Sequence, residues 1–153
     1  MAYANLYTHL TPRNEQPSFF AFRTVSNYNA SSSGWEKLLV NGTRWNQGGH
    51  FNTSNNRFTA PVLGVYHFSA NVNRYNVNAD NLLGIAIYVN GSSYAYGTRF
   101  HSRGPTDLVT SMSITAKLAA NDYVEVWSYS DDTSTGFSQG TNWNTFSGYL
   151  VGK

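Results

Sequence analysis

The chain contains no cysteine. That excludes disulfides, thiolate metal sites and cysteine nucleophiles together. Charge is scarce too: Asp, Glu, Lys and Arg make up 12% of the 153 residues, and the net charge is +2. So small an excess does not point to nucleic acid or a membrane surface as a partner. No apolar run is long enough to insert into a bilayer as a helix, and Met1–Thr11 lacks the pattern of a secretory signal. No stretch repeats apolar residues at helical spacing. His9, His50, His67 and His101 stand in no metal-ligand spacing. Serine nucleophile elbows, glycine-rich phosphate loops and calcium-loop signatures are also missing.

What the chain does have is aromatic residues, 16% of the total, among abundant Asn, Ser, Thr and Gly. That mixture disfavours disorder and favours short strands joined by polar loops. The length suits one domain with a sizeable core. Residues 1–17 hold Pro12 and Pro17 without a sustained period, and read as an arm or linker before a domain at 18–153. From Ser18 onward strand and turn signals alternate, the pattern of an all-β sandwich. Strands are expected at Phe19–Thr24, Lys37–Val40, Arg57–Pro61, Gly64–Val72, Asp107–Leu118, Tyr123–Trp127 and Thr145–Val151. Two further runs between Ile85 and Tyr96 flank Asn90-Gly91, a strong hairpin signal. Alternation within Gly64–Val72 puts Tyr66 and Phe68 on one face, and Val65, His67 and Ser69 on the other.

The segment WNQGGHFNTSNNRFTAPVLGVYHF, from Trp45 to Phe68, carries Asn46, Phe51, Phe58, Gly64, Tyr66 and Phe68 at fixed spacings. These residues resemble the signature of the complement C1q globular-head family. Asp122 at the end of a short polar turn, and the closing Phe146-Ser147-Gly148-Tyr149-Leu150, extend the resemblance over about Phe19 to Val151. Two positions depart from it: Val40 stands where the family has Phe, and Ala70 where it has an aromatic. The resemblance implies a jelly-roll β-sandwich of about ten antiparallel strands, of the C1q and tumour necrosis factor kind, that assembles as a homotrimer. It also implies that the sheet holding the first, last and Gly-x-Tyr-x-Phe strands lines the three-fold interface, with Phe20, Val65, His67, Ser69 and Tyr149 as candidate contacts. Some relatives carry calcium, but no position here matches a ligand motif, so no metal or cofactor is assigned. The collagen stalk of many relatives does not precede the domain.

Periodicity bears on the same point independently. Phe19, Phe20, Ala21 and Phe22 leave no polar face, and Phe146, Tyr149, Leu150 and Val151 put apolar groups on both sides of the last strand. A strand exposed on one side should alternate. Either a loop covers these strands or another subunit does.

Catalysis finds little support. The eight carboxylates include Asp122 in a turn, Glu125 between Val124 and Val126, and Asp131-Asp132 in a loop, and each reads as solvated. A glycosidase needs two carboxyl groups facing one cleft. No catalytic residue is assigned, and a carbohydrate-cleaving enzyme is the least favoured reading. Binding fits better. Tyr94, Tyr96, Arg99, His101 and Arg103 mix rings that stack on sugars with groups that clamp anions. The same segment also reads as a plain strand with solvated arginines. Trp143, in a loop before the last strand, is a second candidate contact or a cap on the core. The absent cysteines and stalk, with an Asn/Ser/Thr/Tyr-rich surface, suit a phage or other virion component that meets a host-surface glycan or protein. Extracellular or virion-associated placement follows from that reading. A secreted lectin-like or immune-recognition protein is the alternative. Sequons at Asn29, Asn41, Asn52 and Asn90 are expected by accident in such a composition.

Overall fold

The computed structural model describes residues 16–24, 28–29, 33–104, 106–138, 140 and 142–153. Most of the expected arm, with His9 and Glu15, lies outside the described residues. Every regular element described is a strand: β1 Ser18–Phe22, β2 Tyr28–Asn29, β3 Gly34–Lys37, β4 Gly42–Gln47, β5 Phe51–Asn52, β6 Arg57–Thr59, β7 Gly64–Val77, β8 Leu82–Val89, β9 Ser92–His101, β10 Thr106–Leu118, β11 Tyr123–Ser130, β12 Gly136–Phe137 and β13 Thr145–Gly152. They form two antiparallel sheets packed as a sandwich. In the first, the strands run β4-β1-β13-β7, with β10 on the far edge of β7 and β12-β2 beside its C-terminal end. In the second, β5-β6 and β3 pair with one edge of β11, and β8-β9 with the other.

The strand β7 organises the first sheet. Its 14 residues pair with β13 on one side and with β10 along nearly their whole length on the other. Tyr66, Phe68, Ala70 and Val72 point inward and are buried, whereas Val65, His67, Ser69 and Asn71 face out. Phe19, Phe51, Phe58 and Phe146 meet those inward rings. Phe19 stacks on Phe51 and Phe58 at 4.8 and 5.1 Å and meets Phe146 edge-on at 4.9 Å, while Phe58 lies 5.5 Å from Phe68. Such offset and edge-on pairs add to the burial of large apolar area. Gly148 is part of this packing. A Cβ there would lie 2.5 Å from Cδ1 of Phe68, so the Phe68 ring rests on bare backbone of the neighbouring strand.

Local chemistry closes the turns. Asn46 accepts the Phe51 amide at 3.0 Å and donates to the Phe51 carbonyl at 2.7 Å, which fixes the five-residue spacing between them. Asn90 and Gly91 both have positive φ, joining β8 to β9 in a two-residue hairpin as expected. At the opposite end of the first sheet, Asn144 accepts the Asn73 amide and donates to the Ser138 carbonyl, and Ser138 donates to the Asn73 side chain. Buried polar groups are tolerated there because each has a partner.

One expected strand needs correction. Lys37–Val40 is not a strand: β3 ends at Lys37, and the chain then turns inward so that Leu38 and Val40 are both buried. The strand β4 was not expected, because Thr43, Arg44 and Trp45 are exposed and carry no alternating apolar pattern. Its pairing with β1 holds it in place. Replacing Phe68, which is fully buried, by Ala should lower the unfolding free energy by about 3–5 kcal/mol. Urea denaturation measures this, and a variant with the parent's midpoint would contradict the packing described.

Candidate functional site

Each sheet turns one face to solvent, and the two faces differ in chemistry. On the first sheet, Phe20, Trp45, Val65, His67, Ser69, Tyr149 and Val151 lie outward. Trp45 and Tyr149 are 50% exposed and Val151 55%. The Tyr149 ring lies 5.2 Å from the His67 imidazole, which is within 3.2 Å of the Ser113 hydroxyl. Phe20 is only half-buried, covered from its own subunit by Trp45 at 5.3 Å and by the Arg44 guanidinium. The apolar outer side of β1 is therefore partly shielded within the subunit, and that of β13 is left open.

On the second sheet the outer face is a platform of rings. Trp35 of β3 is the hub, with ring centroids 5.4 Å from Tyr129, 5.6 Å from Tyr96 and 6.3 Å from Tyr88. Tyr88 in turn stacks on Trp127 at 4.9 Å. The indole of Trp35 reaches over Gly84 on the central strand β8. A Cβ there would sit 3.6 Å from Cη2 of Trp35, 3.4 Å from Tyr129 and 3.8 Å from Arg99. The Arg99 guanidinium lies 5.6 Å from the Tyr129 ring and has no carboxylate partner among the described residues.

Beside these rings stands Glu125, whose side chain is only 2% exposed. The expectation that it is solvated is wrong. It faces outward by alternation, but Arg57 donates to Oε1 at 2.6 Å, Lys37 to the same oxygen at 3.2 Å and Trp127 Nε1 to Oε2 at 3.1 Å. Burial pushes the carboxyl up. The hydrogen bonds from Arg57, Trp127 and Lys37, with the Lys37 charge, outweigh burial and hold it below the usual carboxylate range. Other carboxylates are also engaged. Asp122 accepts the Ala119 amide and the Asn90 side-chain amide, and Asp131 accepts the Leu82 amide. Bonds from Ser134, Asn78 and Asn81 hold the Asp132 carboxyl far below the ordinary range.

The residues singled out from sequence are dispersed. Tyr96 and Arg99 join the ring platform. Tyr94, 51% exposed, sits at the irregularity where β9 slips against β8. His101 and Arg103 line a separate pocket of about 400 Å³ with Phe100, Thr106 and Leu108. Trp143 is 55% exposed and packs near Gly140, away from either group. Trp35, Tyr88, Trp127 and Tyr129 were missed. The signal available was the outer face of β11, where Tyr123, Trp127 and Tyr129 alternate with inward Val and Ser. Among the described residues, no three His, Asp or Glu side chains gather as a metal-binding group.

Two antiparallel sheets with β1, β13 and β7 adjacent in one of them define a jelly-roll sandwich of the kind found in C1q and tumour necrosis factor domains. A family model described as C1q domain matches residues 18–151, and the chain belongs to that family. It is 28% identical over 130 residues to the complement C1q tumour necrosis factor-related protein 6 of Rattus norvegicus, covering 79% of this chain and 45% of the relative. Two proteins of Bacillus subtilis (strain 168) are similar over 86 residues, 52% of this chain: the uncharacterised protein YqcC at 34% identity, and the phage-like element PBSX protein XkdV at 31%. These matches cover 23% and 12% of the two bacterial proteins, so the chain spans less than half the length of the curated relatives it matches. Among solved structures, the globular domain of zebrafish complement 1qA superposes with a TM-score of 0.63 at 20% identity, covering 90% of this chain and 98% of that one. The Eiger tumour necrosis factor of S. frugiperda superposes with a TM-score of 0.69 at 8% identity, over 90% and 93%. At such low identities these superpositions show a shared fold alone.

The Glu125 cluster gives the platform a pH signature. Its folded-state carboxyl titrates below the unfolded value, so its contribution is present above the ordinary Glu range and is lost as pH falls through the folded value. Glu125→Gln should therefore cost about 1–2 kcal/mol at pH 7, since its cationic partners are partly exposed, and progressively less towards pH 3. Urea denaturation of both proteins across that range checks this. A cost that stays constant or grows on acidification would contradict it.

Proposed function

We propose that the chain is a non-enzymatic recognition head that works as a homotrimer, closing through the outer face of the sheet that holds β1, β13 and β7. The observation that carries this is the open apolar surface around Tyr149, Val151, Val65 and Trp45, four residues each more than a third exposed on one sheet face. Apolar groups gathered on one face mark an interaction surface. Cyclic symmetry would bury three copies of it around one axis. Membership of the C1q family favours three subunits over two. His67 and Ser69 lie on the same face and become interface contacts in this arrangement.

The recognition role is supported by family membership and by the engagement of Glu125, Asp122, Asp131 and Asp132 in structural hydrogen bonds. No pair of them is left as an acid and a base. Similarity to a protein of a phage-like element favours a virion-associated or extracellular setting, with a host-surface glycan or protein as the ligand. Light scattering on the purified protein should give a mass near three times the 17.0 kDa chain. Tyr149→Glu should reduce it to a single chain, because a carboxylate there would be buried unpaired. A parent mass near 17.0 kDa, or a trimer indifferent to that substitution, would contradict the assembly.

A further inference from the structure

The face that the trimer leaves free is the ring platform, and its composition points to a ligand class. Trp35, Tyr88, Tyr96 and Tyr129 come from four different strands and converge on one surface, with Gly84 beneath the indole. The outermost ring, Tyr96, is 64% exposed, although its other side packs against Trp35. Tyr88, Tyr96 and Tyr129 are tilted against the indole by 58°, 40° and 63°, so Tyr96 presents the exposed ring, and such a ring accepts the C–H face of a pyranose, which loses little hydrogen bonding to water when that face is covered.

The charges choose among sugars. Lys37, Arg57 and Arg99 border the platform, and the one carboxylate within it, Glu125, is already occupied by the first two. Arg99 is left as an exposed guanidinium at the rim, held against the Tyr129 ring and next to Gly84. A planar guanidinium so placed pairs bidentately with a carboxylate. We propose that the platform binds an acidic saccharide. One pyranose ring stacks on Tyr96 while its carboxylate engages Arg99. This rests on the recognition reading above and names the ligand class for it.

The test uses the full chain with trigalacturonate, its methyl ester and cellotriose as probes, in isothermal titration at low salt. The mass of each sample is measured alongside. Trigalacturonate should bind, with cellotriose and the methyl ester at least about ten-fold weaker. Tyr96→Ala should weaken all three probes about ten-fold or more, since that exposed ring serves each of them. Arg99→Gln should remove the preference for the acid and leave the weak neutral binding unchanged. Tyr149→Arg, on the opposite sheet, should leave the preference intact. No binding of trigalacturonate would overturn the proposal. So would binding indifferent to Tyr96 and Arg99, or capture of single-stranded oligothymidylate in its place. A trimer that fails to bind the uronate sinks this proposal and spares the assembly. A monomer that binds it does the reverse.

Discussion

The two-residue period of β7 is the constraint on which the rest depends. That strand lies between β13 and β10, so each of its side chains must go either into the sandwich or out of the sheet. Tyr66, Phe68 and Ala70 go in and build the aromatic core with Phe19, Phe58 and Phe146. Val65, His67 and Ser69 go out, beside Tyr149 of β13. A slip of one residue would exchange the two sets and expose the core. The register is therefore held by burial, and the outward set comes with it.

A glycine stands beneath an aromatic ring on each sheet. Gly148 lets the Phe68 ring lie against the adjacent strand, and Gly84 lies beneath the Trp35 indole on the other sheet. The first contact is inside the sandwich and supports stability. The second is outside and creates a surface. At Gly148 the ring occupies the space of a missing Cβ, so a side chain there would displace Phe68, whereas a Cβ at Gly84 would meet Trp35 and Tyr129 at ordinary contact distances.

The fold was largely legible because its strands are periodic. The alternation in Gly64–Val72 and Asp107–Leu118, the Asn90-Gly91 turn and the C1q-like signature all lie in local sequence. Asn46 and Phe51 illustrate why such a signature persists at fixed spacing: the side-chain amide bonds both backbone groups of the residue five positions on. The strand β4 was illegible because its order comes from pairing with β1 and not from its own pattern. Glu125 was misread for a related reason. Its partners Lys37 and Arg57 lie 88 and 68 residues away, and only the fold brings them to it. Tyr96 and Arg99 were noticed in one local run, but the rings that complete their surface are spread from Trp35 to Tyr129.

The proposed trimer divides labour between two sheet faces, one closing on copies of the chain and one left open to solvent. Hydroxyl-radical footprinting of the purified protein tests it most directly, because it reads both faces in one sample. In the single subunit Tyr149 is 50% exposed and Tyr96 is 64% exposed, so the two should label at similar rates if nothing covers either. A trimer closed through the sheet of β1, β13 and β7 should show strong protection of Tyr149, Val151 and Val65, with rapid labelling of Tyr96. Equal labelling of Tyr149 and Tyr96, or protection of Tyr96 alone, would contradict it.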